Sequence, residues 1–182
     1  ACGLQLKGLR GEHVSFQLGP RINACGRMGA GDRALELLLT DSPREASRIA
    51  AELNAANEER RALEKDILDE ASLLMAESVS AGKQGIVLAQ QGWHPGVLGI
   101  VAARLQSAHN LPVVLVGVDE DGVGRGSGRS VKGVDLAAAL AECQRHLVTF
   151  GGHAAAAGLT INPEEIEAFS MSFDETVQRI RE

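Results

Sequence analysis

The sequence predicts an α/β protein, and three of its features carry that prediction. Strand-like and helix-like segments alternate from Gly85 onward, as in a chain that builds a sheet with helices packed on it. No Gly or Pro interrupts residues 44–79, where apolar residues recur at spacings of three and four or their sums. The 182 residues, 45% of them hydrophobic, suffice for a buried core. No apolar run approaches the roughly 20 residues of a membrane span, and no signal peptide opens the chain.

From the N-terminus, 12-EHVSFQL-18 alternates well enough for a short strand. The following 19-GPRINACGRMGAG-31 is rich in glycine and arginine, lacks a period and reads as a loop. Ala34–Leu39 reads as a short helix that ends before 41-DSP-43. Ser42 or Asp41 is placed to cap the next helix, with Pro43 suited to its first turn. Ile49, Leu53, Ala56, Leu63, Ile67 and Leu74 mark its apolar positions, with charges on the other faces. Uninterrupted, that helix would be roughly 50–60 Å long. An antiparallel pair or coiled coil and a strut joining two lobes both fit the pattern.

After 82-GKQG-85 the pattern changes. Ile86–Gln90 reads as a strand, 91-QGWHPG-96 as a turn, Val97–Gln106 as an apolar helix and 112-PVVLVGV-118 as a buried strand. The 119-DEDG-122 turn leads into 123-VGRGSGRSV-131, an irregular strand. Asp135 caps an alanine-rich helix reaching about His146, a strand follows at Gly158–Ile161, and a last helix starts at Pro163.

Net charge is −6, which argues against non-specific coating of duplex nucleic acid but leaves room for a local basic groove. Arg21, Arg27, Arg125 and Arg129 sit in glycine-rich segments with few acids nearby. One Trp and four Phe are too few for a broad base-stacking platform. Cys2, Cys25 and Cys143 are odd in number and lack metal-type spacing, so they read as the reduced thiols of a cytoplasmic protein. Ala1 is not an initiator, and the sequence reads as a piece of something longer.

Three segments are candidates for chemistry. In 92-GWHPGVLGIVAARL-105 a turn feeds a helix, whose N-terminal amides suit a phosphate, with Trp93 and His94 at the mouth; spacing alone favours an ordinary turn with an exposed His. In 124-GRGSGRS-130 two arginines lie among three glycines, with Ser127 and Ser130 interleaved. Glycine allows close backbone approach to an anion and Arg supplies a bidentate fork; a solvated hairpin is the alternative. In 150-FGGHAAAAGL-159 Gly151 and Gly152 precede His153, which either donates to a phosphate and steadies transferring charge or is a core His satisfied by a carbonyl. Two-metal phosphoester hydrolysis needs several converging carboxylates and histidines, and no Asp-His cluster, HExxH or CxxC is present. The chain therefore reads as a phosphate-binding part without metal ligands.

The ordered set 20-PRINACGRMG-29, 92-GWHPGVLGIVAARL-105, 124-GRGSGRS-130 and 151-GGHAAAAG-158 resembles the RecJ single-stranded-DNA-specific exonucleases of the DHH phosphoesterase superfamily. The resemblance implies an α/β DHH-associated domain over 83–182, with a mixed sheet flanked by helices. A long connecting helix over 42–82 and a small remnant of the N-terminal DHH lobe over 1–41 would precede it. It implies metal-dependent, stepwise 5′-to-3′ hydrolysis of single-stranded DNA in repair and recombination. The Mn²⁺ or Mg²⁺ would sit on the DHH lobe, and none on these residues. Arg21 and Asn23 would lie near the DNA path, and Ser127, Arg129 and Ser130 would hold the phosphate end or backbone. His153, behind Gly151 and Gly152, would contact phosphate near the scissile bond, with Trp93 and His94 lining the same cleft. Single-strand-binding protein and a helicase are the implied protein partners, and no membrane. The same signatures admit an oligoribonuclease or cyclic-dinucleotide phosphodiesterase, or a non-enzymatic nucleic-acid-binding module like that appended to alanyl-tRNA synthetases.

Overall fold

The computed structural model describes residues 8–182, so Cys2 lies outside the described residues. Two compact units meet within one helix, between Leu63 and Glu64. The first holds α1 (Gly11–His13), a π-helical turn (Val14–Leu18), α2 (Gly19–Arg27), α3 (Gly31–Leu39) and the start of α4 (Pro43–Ser80).

The segment expected as a strand, 12–18, is helical instead. Its alternation amounts to three apolar residues, and among the described residues of this unit no strand exists to pair with it. Val14 and Phe16 stay 53% and 78% exposed. The segment expected as a loop is also helical, over 19–27. Pro20 falls in the first turn, where a missing N–H is harmless. Cys25 is buried with Ala34, Ile49 and Leu53, Ala24 is buried as well, and that burial outweighs the poor helix propensity of Gly19 and Gly26. Burial pushes the Cys25 thiol up, and the Glu52 carboxylate adds to the shift. It therefore stays a protonated, unreactive core residue.

Helix α4 is one continuous helix of 38 residues, not an antiparallel pair. Ser42 Oγ accepts from the Glu45 N–H at 3.3 Å, as its capping position requires. Ile49, Leu53 and Ile67 of the expected apolar face are buried, and Ala71 and Met75 join them.

The second unit contains a five-stranded mixed sheet in the order β1-β2-β3-β5-β4. The strands are β1 (Ile86–Gln91), β2 (Val113–Val118), β3 (Gly124–Arg129), β4 (Thr149–His153) and β5 (Ala156–Ile161). β1 and β2 are parallel and joined through α5 (Pro95–His109); the other pairings are antiparallel. Helix α6 (Leu136–Glu142) starts on the Asp135 cap, whose Oδ1 accepts from the Ala138 N–H at 3.0 Å. It ends earlier than expected and yields to a 3₁₀ turn at Gln144–His146. Helix α7 (Ile166–Arg181) closes the chain.

Alternation divides the sheet into two faces. On one, Val114, Val116, Ala157, Leu159 and Ile161 are buried with Leu136 and Leu140 of α6 and Phe169, Phe173 and Val177 of α7. Each large apolar side chain buried there contributes roughly 1.5–3 kcal/mol. On the other face, α5 lies over β2 and β3. Trp93, just before α5, sets its carbonyl so close to Gly117 of β2 that a Cβ there would lie 2.0 Å from that oxygen. Among the described residues no helix is long and apolar enough to cross a membrane.

Candidate functional site

Strand β3 is regular, not the irregular strand its glycines suggest, and its alternation explains the composition of 124-GRGSGR-129. Gly124, Gly126 and Gly128 fall on the face packed by α6. A Cβ at these positions would lie 2.7 Å from the Ile161 carbonyl oxygen, 2.8 Å from Leu159 and 3.0 Å from Leu136. The glycines therefore serve packing rather than the approach of an anion. Arg125, Ser127 and Arg129 fall on the opposite face, the α5 side.

Register carries these three side chains into rows across β5 to β4. Arg129 pairs with Ala156, which pairs with His153. Ser127 pairs with Gly158, which pairs with Gly151, and Arg125 pairs with Thr160, which pairs with Thr149. Successive strands lie about 4.8 Å apart, so the backbones at Arg129 and His153 are about 10 Å from each other. Helix α5 packs chiefly on β2 and β3, and β4 is exposed along its whole length, as is Gly158 of β5. The result is an open floor of glycine, alanine and threonine, with Arg129 and Ser127 along one side and His153 at a corner.

Arg129 is held in place. Its Nη1 donates to the Gly128 carbonyl at 2.7 Å and to Ser127 Oγ at 3.3 Å. Gly99, in the second turn of α5, makes room for the pair, since a Cβ there would lie 2.7 Å from Arg129 Nη2 and 2.9 Å from Ser127 Oγ. Gly→Ala inside a helix ordinarily stabilises by about 1 kcal/mol. In Gly99→Ala that gain is expected to be offset as the guanidinium is displaced, leaving stability within about 1 kcal/mol of the wild type. Anion binding at the displaced guanidinium should nevertheless weaken, and denaturant unfolding alongside a phosphate titration separates the two effects.

The two glycines before His153 differ. Gly152 has φ +153°, and a Cβ there would lie 2.4 Å from the Ala156 carbonyl oxygen, so the hairpin itself demands glycine. Gly151 lies outside the left-handed region and nothing stands within 4 Å of a Cβ placed on it. Gly158 is similar, its nearest atom being the Gly126 carbonyl oxygen at 3.6 Å. Nothing in the fold requires these two to be bare. His153 lies exposed at the end of β4, and its Nδ1 accepts from the Ala155 N–H at 3.2 Å. It is neither buried nor satisfied by a carbonyl, which removes the core-histidine alternative.

The other expected site residues are placed apart from this floor or serve structure. Trp93 is 4% exposed, and its Nε1–H donates to Glu70 Oε2 of α4 at 2.7 Å, so it anchors the start of α5. His94 caps α5, its Nδ1 accepting from the Gly96 N–H at 3.1 Å. This cap lies near the Gly117–Arg125 pairing, at the opposite end of β3 from Arg129. Ser130 Oγ donates to the Val134 carbonyl at 2.8 Å and shapes the loop before α6. In the first unit, Arg21 is half-buried and Asn23 exposed on α2. Arg21 Nε donates to Asn54 Oδ1 and Nη1 to the Gln17 carbonyl, each at 2.6 Å.

Gly99, Gly158 and Asn54 are the positions that sequence reasoning missed. Gly158 alone had a local signal: counting outward from a two-residue turn at 154–155 sets it opposite Gly151. Among the described residues no group of three or more His, Cys, Asp or Glu side chains is placed to hold a metal ion. His94 and His153 each commit Nδ1 to a backbone amide. The described residues do not fit a divalent-metal centre.

Comparison with known proteins bears on this geometry. The DHHA1 domain model matches residues 82–179. The chain is 42% identical over 156 residues to the single-stranded-DNA-specific exonuclease RecJ of Bacillus subtilis, covering 85% of this chain and 20% of that protein. It is 35% identical over 177 residues to the Salmonella typhimurium protein of the same name, covering 93% and 30%. Among solved structures, exonuclease RecJ bound to manganese aligns with a TM-score of 0.83 at 35% identity, over 93% of this chain and 42% of that one. RecJ in complex with Mg²⁺ from Thermus thermophilus aligns with a TM-score of 0.81 at 35% identity, over 92% and 26%. The chain thus spans less than a third of the length of these curated relatives.

Proposed function

The chain belongs to the DHHA1 domain family, and from that premise we propose that it is the strand-gripping part of a single-stranded-DNA exonuclease. The intact enzyme would hydrolyse phosphodiester bonds stepwise from the 5′ end, in DNA repair and recombination in the cytoplasm. Its Mn²⁺ or Mg²⁺ would be held by residues outside this chain, in keeping with relatives whose structures contain those ions. Residues 83–182 would form the substrate domain, 42–82 the connector and 1–41 the end of the catalytic lobe. Single-strand-binding protein and a helicase would be its protein partners on the resemblance alone.

The observation that carries this reading is the open floor at Gly151 and Gly158 beside Arg129 and Ser127. A single strand laid there brings its phosphates within reach of a guanidinium fork, a hydroxyl and the His153 ring. Its sugars and bases meet backbone instead of side chains, so contact is made without regard to sequence. Trp93 and His94 would act indirectly by fixing the start of α5, and Ser130 by shaping the loop after β3. Within the first unit, Arg21 and Asn23 would lie near the DNA path on the resemblance alone, and Asn54 holds the Arg21 guanidinium there.

Fluorescence anisotropy with a 5′-phosphorylated oligothymidylate tests the reading. Binding that weakens as salt rises is expected, with a duplex of equal length competing poorly. Equal competition by duplex, or binding indifferent to salt, would contradict it.

A further inference from the structure

The bond between His153 Nδ1 and the Ala155 N–H, 3.2 Å long, constrains the imidazole more than its exposed position suggests. A backbone amide nitrogen can only donate, so Nδ1 must be the bare nitrogen of the ring. The proton of the neutral ring then sits on Nε2. An imidazolium carries a proton on both nitrogens, and forming it breaks the bond to Ala155. His94 has the same arrangement with the Gly96 N–H, where it caps α5. At His153 there is no helix to cap: the ring stands on an exposed edge strand, at the corner of the open floor.

We propose that His153 meets a substrate phosphate as a neutral donor of fixed tautomer, through Nε2–H, and neither as an imidazolium ion pair nor as a proton-transfer group. The proposal rests on the reading that a phosphate-bearing strand lies on this floor. The charged group sharing its row is Arg129, two strands away. Lys132 and Asp135 line the neighbouring depression with Ala154 and Ala155. Roles divide accordingly: Arg129 supplies charge, and His153 supplies a proton aimed in one direction. A neutral donor displaces no counterion, so its loss should leave the salt dependence of binding untouched.

Two measurements at pH 7.5 test this. Long-range ¹H–¹⁵N spectra of the imidazoles, without and with 5′-phosphorylated oligothymidylate, should show His153 as the Nε2–H tautomer in both states. In parallel, His153→Ala should bind the oligonucleotide about two- to tenfold more weakly. Its slope of log affinity against log salt should match that of the wild type, whereas Arg129→Ala should flatten the slope by about 0.7. His153→Gln, which carries an N–H at the ε position, should recover most of the affinity. An Nδ1–H tautomer, a doubly protonated ring in the complex, or a slope flattened by His153→Ala as much as by Arg129→Ala would overturn the proposal. Failure of the unsubstituted chain to bind would remove the strand-gripping reading instead, while the spectrum of the free chain still tests the tautomer by itself.

Discussion

Arg129→Ala is expected to weaken binding of a 5′-phosphorylated single strand by about 1–3 kcal/mol, the range for a charge-assisted contact. The side chain comes from a central strand, is braced by the Gly128 carbonyl and Ser127 Oγ, and lies under a helix with a glycine opposite. Bracing lowers the entropy lost when the fork engages a phosphate, which gives this arginine more weight than an exposed one such as Arg125. Arg125 is 57% exposed and leans on Asp119 at 3.7 Å. Arg129→Lys should recover little, because a point charge cannot reproduce the bidentate geometry. Anisotropy titrations at several salt concentrations check both statements, and unchanged affinity of Arg129→Ala at low salt would contradict the first.

The second large effect separates two adjacent glycines. Gly152→Ala sets a Cβ 2.4 Å from the Ala156 carbonyl oxygen and 2.5 Å from the Ala157 Cα, at φ +153°. Backbone atoms cannot move aside as a flexible side chain would, so a loss of about 2–5 kcal/mol in unfolding free energy is expected. Gly151→Val meets no neighbour and replaces glycine in a strand by a β-branched residue, so stability should hold or rise by up to about 1 kcal/mol. Yet the new side chain would stand in the floor beside Gly158, and binding should fall by about 1–2 kcal/mol. Denaturant melts with binding titrations of the two variants provide the check. A stable Gly152→Ala, or a Gly151→Val that binds like the wild type, would count against the respective half.

Much of the second unit was legible in the sequence because its signals are local. Periodicity and punctuation mark β1, α5, β2 and the Asp135 cap, and each is found where the pattern sets it to within a few residues. The first unit was less legible. There, α2 is stabilised by contacts with Ile49 and Leu53, more than twenty residues further on, and a local pattern holds no trace of them. The site was legible as a set of motifs but not as an arrangement. The row from Arg129 through Ala156 to His153 depends on strand order, and the chain places β5, not β4, beside β3. Trp93 reads from its turn as a residue at the mouth of the helix, but its partner Glu70 lies 23 residues earlier on another element. The glycines of 124-GRGSGR-129 read as room for the close approach of an anion because their spacing shows alternation without saying which face is packed. Only the positions of Leu136, Leu159 and Ile161 decide that.

Amide and side-chain chemical shifts, followed while 5′-phosphorylated oligothymidylate is added, test most directly whether a single strand lies on this floor. Shifts are expected to cluster at Ser127, the Arg129 guanidinium, Gly151, His153 and Gly158, with α6 and α7 on the far face unmoved. Shifts gathered on α6 and α7, with Gly151 and Gly158 unchanged at saturation, would contradict it.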